Sequence, residues 1–417
     1  MIKVDPVSFF AIVVTAAVAA ATVAALPPRL APPVVVLELV LGIVIGPEVL
    51  GIARDDSFIE FFSNLGLGML FFFAGYEIDF ERIKGLPLKL GGWGWVLSVV
   101  VAYAFGGVLA ATGVVLSFLY AGSAMATTAI GTLIPILRDD GELRTRFGTY
   151  LLAAGGAGEF GPILLLTIVL STDQPVRESV ILIVFALVSV GIGIASIRWA
   201  GRRWEALTGT LEASSQLAVR VTMVLIFGLV ALAHRLGLDL LLGGFMAGMI
   251  VRLVLKGHEA QVFESKLTAV GFGFFVPFFF VTSGIEFDLA ALGSLGAIAK
   301  LAMFLVLFLV VRGAPALLLY RGVLGGRDRA ALAFYSATEL PLVVAIATLA
   351  TESGHMRAST AAGLVGAAML STLIFPFVAS ALRQHHGADR GPDVEEGPED
   401  GPPPPGGETV VRPLPAA

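Results

Sequence analysis

The chain has 417 residues, of which 57% are hydrophobic and only 14% are charged, and its formal net charge is −5. This composition excludes a soluble globular protein, because a surface in contact with water needs more charged side chains. The absence of cysteine excludes disulfide frameworks and thiolate metal sites, and no basic run is long enough to bind nucleic acid. The mean hydropathy of +0.90 instead predicts a protein surrounded by membrane lipid.

Apolar windows recur along the chain up to Leu382, each with about the 20 residues needed to cross a bilayer core of about 30 Å. Glycine, proline and charged residues separate these windows. The predicted spans, numbered 1 to 13 in chain order, are 8–26, 32–50, 58–76, 91–113, 115–137, 148–171, 179–198, 217–234, 238–255, 267–285, 296–320, 329–351 and 358–382. The predicted fold class is therefore an all-α polytopic membrane protein with about 13 transmembrane helices.

Lysine and arginine are concentrated in alternate connections, such as the one that carries Arg138, Arg144 and Arg146. Because positive connections stay in the cytoplasm, we expect the N-terminus outside, the C-terminus inside, and a multi-pass location in the cell (inner) membrane. Residues 1–384 would form the transmembrane domain. Residues 385–417 are rich in glycine, proline and acidic residues, and we expect them to be a disordered cytoplasmic tail.

Span 5 carries hydroxyl side chains at mid-depth, at Thr127 and Thr128, followed by Gly131 and Pro135. A helix that unwinds at this point would expose backbone carbonyl groups to a cation. We therefore include both threonines among the candidate ion-binding residues. The alternative, in which each hydroxyl only bonds to the preceding turn of its own helix, is about as consistent with the sequence.

Span 6 contains one ionisable side chain in its interior, Glu159, within the glycine-rich stretch 155–162. A charge at this depth costs roughly 2.5–3.5 kcal/mol, so it indicates function. A protonated carboxyl is neutral, whereas an ionised one needs a cation, so Glu159 can hold H⁺ or a monovalent cation but not both. We predict a Na⁺ or K⁺ site at Glu159 and Thr127. The alternative is a permanently protonated Glu159 that bonds a neighbouring helix.

Residues 156–161 also match the G-x-G-x-x-G pattern of dinucleotide-binding proteins. That motif binds a cofactor where it follows a strand of a βαβ unit, and this copy lies inside an apolar span. We therefore expect no cofactor.

Two more charges are predicted inside the membrane, Arg312 in span 11 and Glu339 in span 12. An unpaired buried arginine would be very unfavourable, so a carboxylate from Glu339 or Glu159 is its expected partner. A structural ion pair and a direct role in transport are both consistent with the sequence. Span 12 has polar residues and Pro341 at mid-depth, so it can break as span 5 can, and Glu339 would offset the positive ends of the half-helices.

Other acidic residues lie near the ends of spans, where solvated or interfacial roles are expected. We leave these residues outside the predicted site: Glu38, Glu77, Asp79, Asp239, Glu286 and Asp288.

Two charged patterns occur twice, in the same order and at similar separations. Residues 37–42 recur as 238–243, and residues 75–80 recur as 284–289. The pairing shifts the chain by seven helices, and an odd shift places the second copy upside down. Such inverted repeats place two crossed broken helices and the ion site near the membrane midplane. The predicted units are repeat 1 at about 8–171, a linker helix at about 179–198, and repeat 2 at about 217–382.

In order and spacing, these motifs resemble the cation:proton antiporter superfamily, particularly its Kef-type and sodium/proton exchanger branch, over about residues 8–382. The segments that carry the resemblance are 38–47, 71–79, 127–138, 155–162, 237–248, 275–288 and 336–341. The resemblance implies a homodimer, places Thr127 and Thr128 at the helix crossing, and matches Arg312 to the family's buried basic residue. The chain departs from the family at Gly158-Glu159, where many members have an aspartate that often follows Asp, Asn or Gln.

The expected function is secondary active antiport, in which Na⁺ or K⁺ is exchanged for H⁺ by alternating access. One titrating carboxylate favours electroneutral exchange. The alternatives are a cation channel or a Kef-like K⁺ efflux pathway, and a regulatory domain would have to come from a separate subunit. We do not expect an enzyme, because the five histidines fall in or beside connections between spans.

Overall fold

The computed structural model describes residues 5–27, 32–78, 80–169, 175–208, 216–236, 238, 240–254 and 258–384. Within these ranges the regular structure is entirely helical, which confirms the predicted all-α class. The helices are α1 (Pro6–Ala25), α2 (Val34–Ile45), α3 (Ser57–Glu77), α4 (Phe80–Ile83), α5 (Leu86–Ala111), α6 (Phe118–Met125), α7 (Ile130–Asp139), α8 (Arg146–Val169), α9 (Pro175–Thr208), α10 (Leu217–Arg235), α11 (Leu240–Val254), α12 (His258–Val270), α13 (Val276–Ile285), α14 (Leu295–Leu319), α15 (Gly326–Ser336), α16 (Pro341–Glu352) and α17 (Ala358–Gln384).

The helices that are long and apolar enough to cross a membrane coincide with the predicted spans. Among the described residues, eight helical stretches are long and apolar enough to cross a membrane, and four shorter apolar helices accompany them. Together with α8, these stretches correspond to the thirteen spans predicted from the sequence. The predicted tail, residues 385–417, and two of the acidic residues near span ends, Asp79 and Asp239, lie outside the described residues.

Helix ends are fixed by local hydrogen bonds from polar side chains. Asp56 caps α3, where its carboxylate accepts hydrogen bonds from the N–H groups of Phe58 and Ile59, each at 2.9 Å. The other carboxylate oxygen of Asp56 accepts from the N–H of Asp5, which caps α1 in turn. Because a cap satisfies N–H groups that the helix itself leaves free, these bonds define where α1 and α3 begin and hold the two ends together.

Two helix pairs pack at backbone-to-backbone distance through glycines. Helices α2 and α13 meet where Gly42 faces Gly284, and α3 and α11 meet where Gly75 and Gly248 each lie against the backbone of the other helix. Small residues allow such close approach between membrane helices. The contacts pair span 2 with span 10 and span 3 with span 9. The predicted repeat takes span 2 to span 9 and span 3 to span 10, so it would relate one pair to the other.

Spans 5 and 12 are both broken at mid-depth, as the sequence predicts. Non-helical residues 126–129 separate α6 from α7, and non-helical residues 337–340 separate α15 from α16. The two breaks touch, because the N–H of Ala129 donates to the carbonyl oxygen of Thr338 at 2.8 Å. The broken helices therefore cross at this point.

Span 10 contains a π-helical turn, Gly271–Phe275, between α12 and α13. Its first residue, Gly271, lies directly against the ring of Phe73 on α3. A π turn inserts one extra residue into a helix and changes the direction of the side chains that follow. No pattern in the sequence predicted this turn.

A charged cluster joins the ends of α15 and α17 to the connection between α7 and α8. Arg383 donates to both carboxylate oxygens of Glu142, at 3.0 and 2.8 Å, and to Asp328 at 2.6 Å. Its guanidinium also lies over the ring of Phe147, 4.4 Å from the centroid. The Arg383 side chain thus links α15, the connection after α7 and the start of α8, the helix that carries Glu159.

The glycine contacts generate a test of the fold. We expect Gly248→Ala to lower the melting temperature, because a Cβ there would lie 2.6 Å from the N atom of Tyr76 and closer still to the Phe72 carbonyl oxygen. Overpacking of this kind costs about 1–3 kcal/mol. Gly92→Ala is the matched control, since a Cβ at Gly92 meets nothing within 4 Å. Equal melting temperatures for the two variants in detergent would contradict this packing.

Candidate ion-binding site

Glu159 lies on α8 with its side chain 6% exposed. Its carboxylate accepts a hydrogen bond from the backbone N–H of Ile130, the first residue of the half-helix α7. Oε2 of Glu159 accepts no hydrogen bond from any described residue. A helix N-terminus favours negative charge, so the arrangement holds a carboxylate at a positive helix end and leaves one oxygen available to an ion.

The glycines around Glu159 allow neighbouring helices to reach α8. Gly155 lies against the side chain of Ile130, and Gly161 lies against the indole of Trp95 on α5. A side chain at either position would push these neighbours away. The glycine-rich sequence therefore brings Glu159 to the start of α7.

The two predicted threonines occupy the break in span 5 but differ in their bonding. Thr127 donates to the carbonyl oxygen of Ala124 at 3.0 Å, which is the bond to the preceding turn that the sequence left open as an alternative. Thr128 donates its hydroxyl to the carbonyl oxygen of Ser336, and its N–H donates to the Gly158 carbonyl oxygen at 3.0 Å. Thr128 therefore joins the two breaks and α8.

Arg312 on α14 is 4% exposed, and among the described residues it donates only to uncharged groups. Its Nε donates to the hydroxyl of Thr128 at 2.9 Å, and its two terminal nitrogens donate to Ser98 at 3.2 Å and to the Ala154 carbonyl oxygen at 3.1 Å. A carboxylate from Glu339 or Glu159 was the partner expected from the sequence. The hydrogen bonds of Arg312 go to neutral acceptors, because the guanidinium fits into the space beside Gly158 on α8.

Glu339 lies in the break of span 12 and is fully buried. Its backbone is held on both sides, since its N–H donates to the Ser371 hydroxyl at 3.0 Å and its carbonyl oxygen accepts from Thr372 at 3.1 Å. Neither carboxylate oxygen accepts a hydrogen bond from the described residues, although Thr127 lies beside it. Arg312 is close enough to attract this carboxylate electrostatically without bonding to it.

Glu77 approaches the same half-helix, although its place near the end of a span put it outside the predicted site. It is the last residue of α3, and its Oε2 lies 3.7 Å from the position that a Cβ on Gly131 would occupy. Gly131 follows Ile130, whose N–H binds Glu159. A carboxylate at the end of an apolar span is a weak signal by itself. It becomes informative once the break in span 5 places the start of α7 at the same depth.

A cleft of about 180 Å³ lies at the far end of α16, beside the end of α13. Three carboxylates line it, those of Glu286, Asp288 and Glu352. Burial, together with the neighbouring charges of Asp55 and Glu352, raises the pKa of Glu286 to about 7. Clustered carboxylates create a negative potential that concentrates cations. The cleft therefore favours cations at one end of the half-helix that begins beside Glu339.

The bonding of Arg312 predicts a difference between two substitutions. We expect Arg312→Ala to destabilise the protein by about 3–5 kcal/mol, because it leaves the buried Glu339 carboxylate without a compensating charge. Arg312→Lys keeps the charge and should cost less. Thermal unfolding in detergent measures both, and equal melting temperatures would contradict the role of the charge.

Comparison with known proteins indicates the family of this chain. The family model for the sodium/hydrogen exchanger transmembrane region matches residues 13–383. The chain is 25% identical over 365 residues to the putative Na⁺/H⁺ antiporter YjbQ of Bacillus subtilis, covering 82% of this chain and 58% of YjbQ. It is 28% identical over 271 residues to the Na⁺/H⁺-K⁺ antiporter GerN of Bacillus cereus, covering 63% of this chain and 67% of GerN.

A solved structure shares the fold. The chain is similar to the sodium proton antiporter MjNhaP1 of Methanocaldococcus jannaschii, with a TM-score of 0.60, 16% identity, and coverage of 91% of this chain and 96% of that one. At this identity the likeness concerns the fold alone. The family match extends over almost every described helix, and on that ground the chain belongs to the sodium/hydrogen exchanger family of transmembrane proteins.

Proposed function

We propose that the protein is a secondary active antiporter that exchanges a monovalent cation, Na⁺ or K⁺, for H⁺ by alternating access. The observation that carries this proposal is the placement of Glu159, which is buried, accepts the first N–H of α7, and keeps one oxygen free of hydrogen bonds from the described residues. The family membership supports it. The names of YjbQ and GerN, both described as antiporters of Na⁺ and H⁺, support it further.

Competition at Glu159 would couple the two ions. An ionised carboxylate in apolar surroundings is unfavourable unless a cation accompanies it, and a protonated carboxyl is neutral and leaves no charge for the cation. Each occupant therefore excludes the other. The N-terminus of α7 offsets part of the negative charge during the change of occupant.

The helices form two groups that could move relative to each other during alternating access. Helices α2, α3, α11 and α13 are joined by their glycine contacts, whereas the crossed breaks bind α8, α14 and α17 through Thr128, Arg312 and Glu339. We propose that the second group moves against the first and carries Glu159 between the two sides of the membrane. The break in each crossed helix keeps backbone carbonyl groups near the ion.

The placement of the protein in the cell follows the charge distribution of the sequence. We propose an inner-membrane protein with its N-terminus outside, because lysine and arginine are concentrated in alternate connections. We also propose a homodimer, in line with the family resemblance. α1 has exposed apolar side chains, including Val7, Phe10 and Val18, that suit contact with lipid or with a second copy.

Glu159→Gln should abolish exchange while leaving the fold intact, because glutamine resembles the protonated carboxyl and cannot release a proton. The measurement is cation-dependent proton flux in proteoliposomes, tested with Na⁺, K⁺ and Li⁺ in turn. Glu159→Asp is the control, since it keeps the charge on a shorter side chain and should retain some flux with altered apparent cation affinity. Retained flux in the glutamine variant would refute the assignment of Glu159.

Exchange should be electroneutral, one cation for one proton. Arg312 stays charged at physiological pH and offsets Glu339, so Glu159 is the one group of the three proposed to change its occupant. Rates at zero and at about −100 mV should then agree, although each uncompensated charge would experience roughly 2.3 kcal/mol. The potential is set with K⁺ and valinomycin, or with a lithium ionophore if K⁺ is transported. A pH gradient that forms under a membrane potential alone would disprove the exchange of one cation for one proton.

A further inference from the structure

Residue 158 has no side chain, and the space beside it is filled by Arg312. A Cβ built on Gly158 would overlap the Nη2 atom of Arg312 and would lie 2.7 Å from the hydroxyl oxygen of Thr128. Both distances are shorter than any van der Waals contact of a Cβ. The space that a side chain at residue 158 would fill is therefore taken by Arg312 and Thr128.

Hydrogen bonds hold the guanidinium at this place. Nη2 of Arg312 donates to the carbonyl oxygen of Ala154, which lies one helical turn before Gly158 on α8. Nε donates to Thr128, whose own N–H binds the Gly158 carbonyl oxygen. The guanidinium thus bonds the backbone of α8 one turn before Gly158 and bonds Thr128, which itself donates to the Gly158 carbonyl oxygen.

We infer that Gly158 is a positioning residue of the ion site, because its missing side chain admits the Arg312 guanidinium as a fixed positive charge against the backbone of α8, the helix that carries Glu159. Arg312 is then a positioning residue, which takes the place that a neighbouring side chain would hold. The inference deepens the proposed function and rests on it for its consequence in transport. Its geometric part, the competition between a side chain at 158 and the Arg312 guanidinium, does not depend on transport.

The fixed charge would set the net charge of the buried ionisable groups at the ion site. With Glu159 ionised, the three buried groups Glu159, Glu339 and Arg312 carry one net negative charge, which one monovalent cation or one proton neutralises. If a side chain displaced the guanidinium, Glu339 would lose its compensation. The site would then attract a second proton or cation, and exchange would respond to the membrane potential.

The same helix offers a matched control. A Cβ on Gly156 would meet only the side chain of Ile78, at 3.5 Å, which is an ordinary contact. Gly156→Ala therefore adds the same methyl group two residues away without touching Arg312. Both substitutions change helix propensity equally, so the difference between them reports the contact with Arg312.

The test is a double-mutant cycle of Gly158→Ala and Arg312→Lys, with Gly156→Ala as control. Lysine keeps the positive charge but lacks the terminal nitrogen that overlaps a Cβ at 158, which removes the shortest contact. The contacts with Thr128, at 2.7 and 2.9 Å, must then be relieved by a small shift of that residue. Cation-dependent proton flux and melting temperature are measured for each variant, and the dependence of flux on membrane potential is measured for Gly158→Ala.

We expect Gly158→Ala to lower flux about tenfold or more relative to Gly156→Ala, since a displacement of about 1 Å can cost about 100-fold in a positioned site. The remaining flux should depend on potential. Arg312→Lys should lower flux in the otherwise unchanged protein but raise both flux and melting temperature in the Gly158→Ala background. If Gly158→Ala gives no folded protein, recovery of monodisperse protein on adding Arg312→Lys would equally support competition between the side chain at 158 and the guanidinium.

Two results would overturn the inference. One is a Gly158→Ala variant that matches Gly156→Ala in flux and stability. The other is an Arg312→Lys effect of the same size in both backgrounds, which would show that the guanidinium does not compete with a side chain at 158. The melting temperatures decide this even if the wild-type protein shows no exchange, so failure of the proposed function is distinguishable.

Discussion

The hydrogen bonding of one buried guanidinium organises the membrane interior of this protein. Arg312 reaches α5 through Ser98, α8 through Ala154 and the crossing of the broken helices through Thr128. A buried charge is tolerated where its donors are satisfied and an opposite charge lies within electrostatic reach, and both conditions hold here. The helices that present Glu159 and Glu339 are consequently positioned by a residue that binds neither of them directly.

The positions of the spans, both breaks and the buried charges could be predicted from the sequence, because long apolar windows, mid-span prolines and isolated charges are local signals. The partners of Arg312 could not, since they depend on how closely α8 and α14 approach, and that distance follows from a glycine on a different helix. The proximity of Glu77 to α7 could not be predicted for a related reason. Its relation to α7 exists only after the break in span 5 has placed a helix terminus beside it.

The π turn at Gly271–Phe275 marks another limit of sequence reasoning. One inserted residue does not interrupt a run of apolar side chains, so the hydropathy of span 10 is the same with or without it. The π turn is accompanied by the packing of Gly271 on Phe73, which is a contact between distant parts of the chain. Long-range contacts of this kind decide details that periodicity leaves open.

The glycine contacts between α2 and α13 and between α3 and α11 have a mechanical consequence. Long side chains can change rotamer and so let two helices slide in small steps, whereas facing backbones have no rotamers to change. At Gly42 and Gly284 the helices already touch through their main chains. This half of the protein is therefore stiff to shear, and sliding between helices is expected instead along the boundary with the crossed helices.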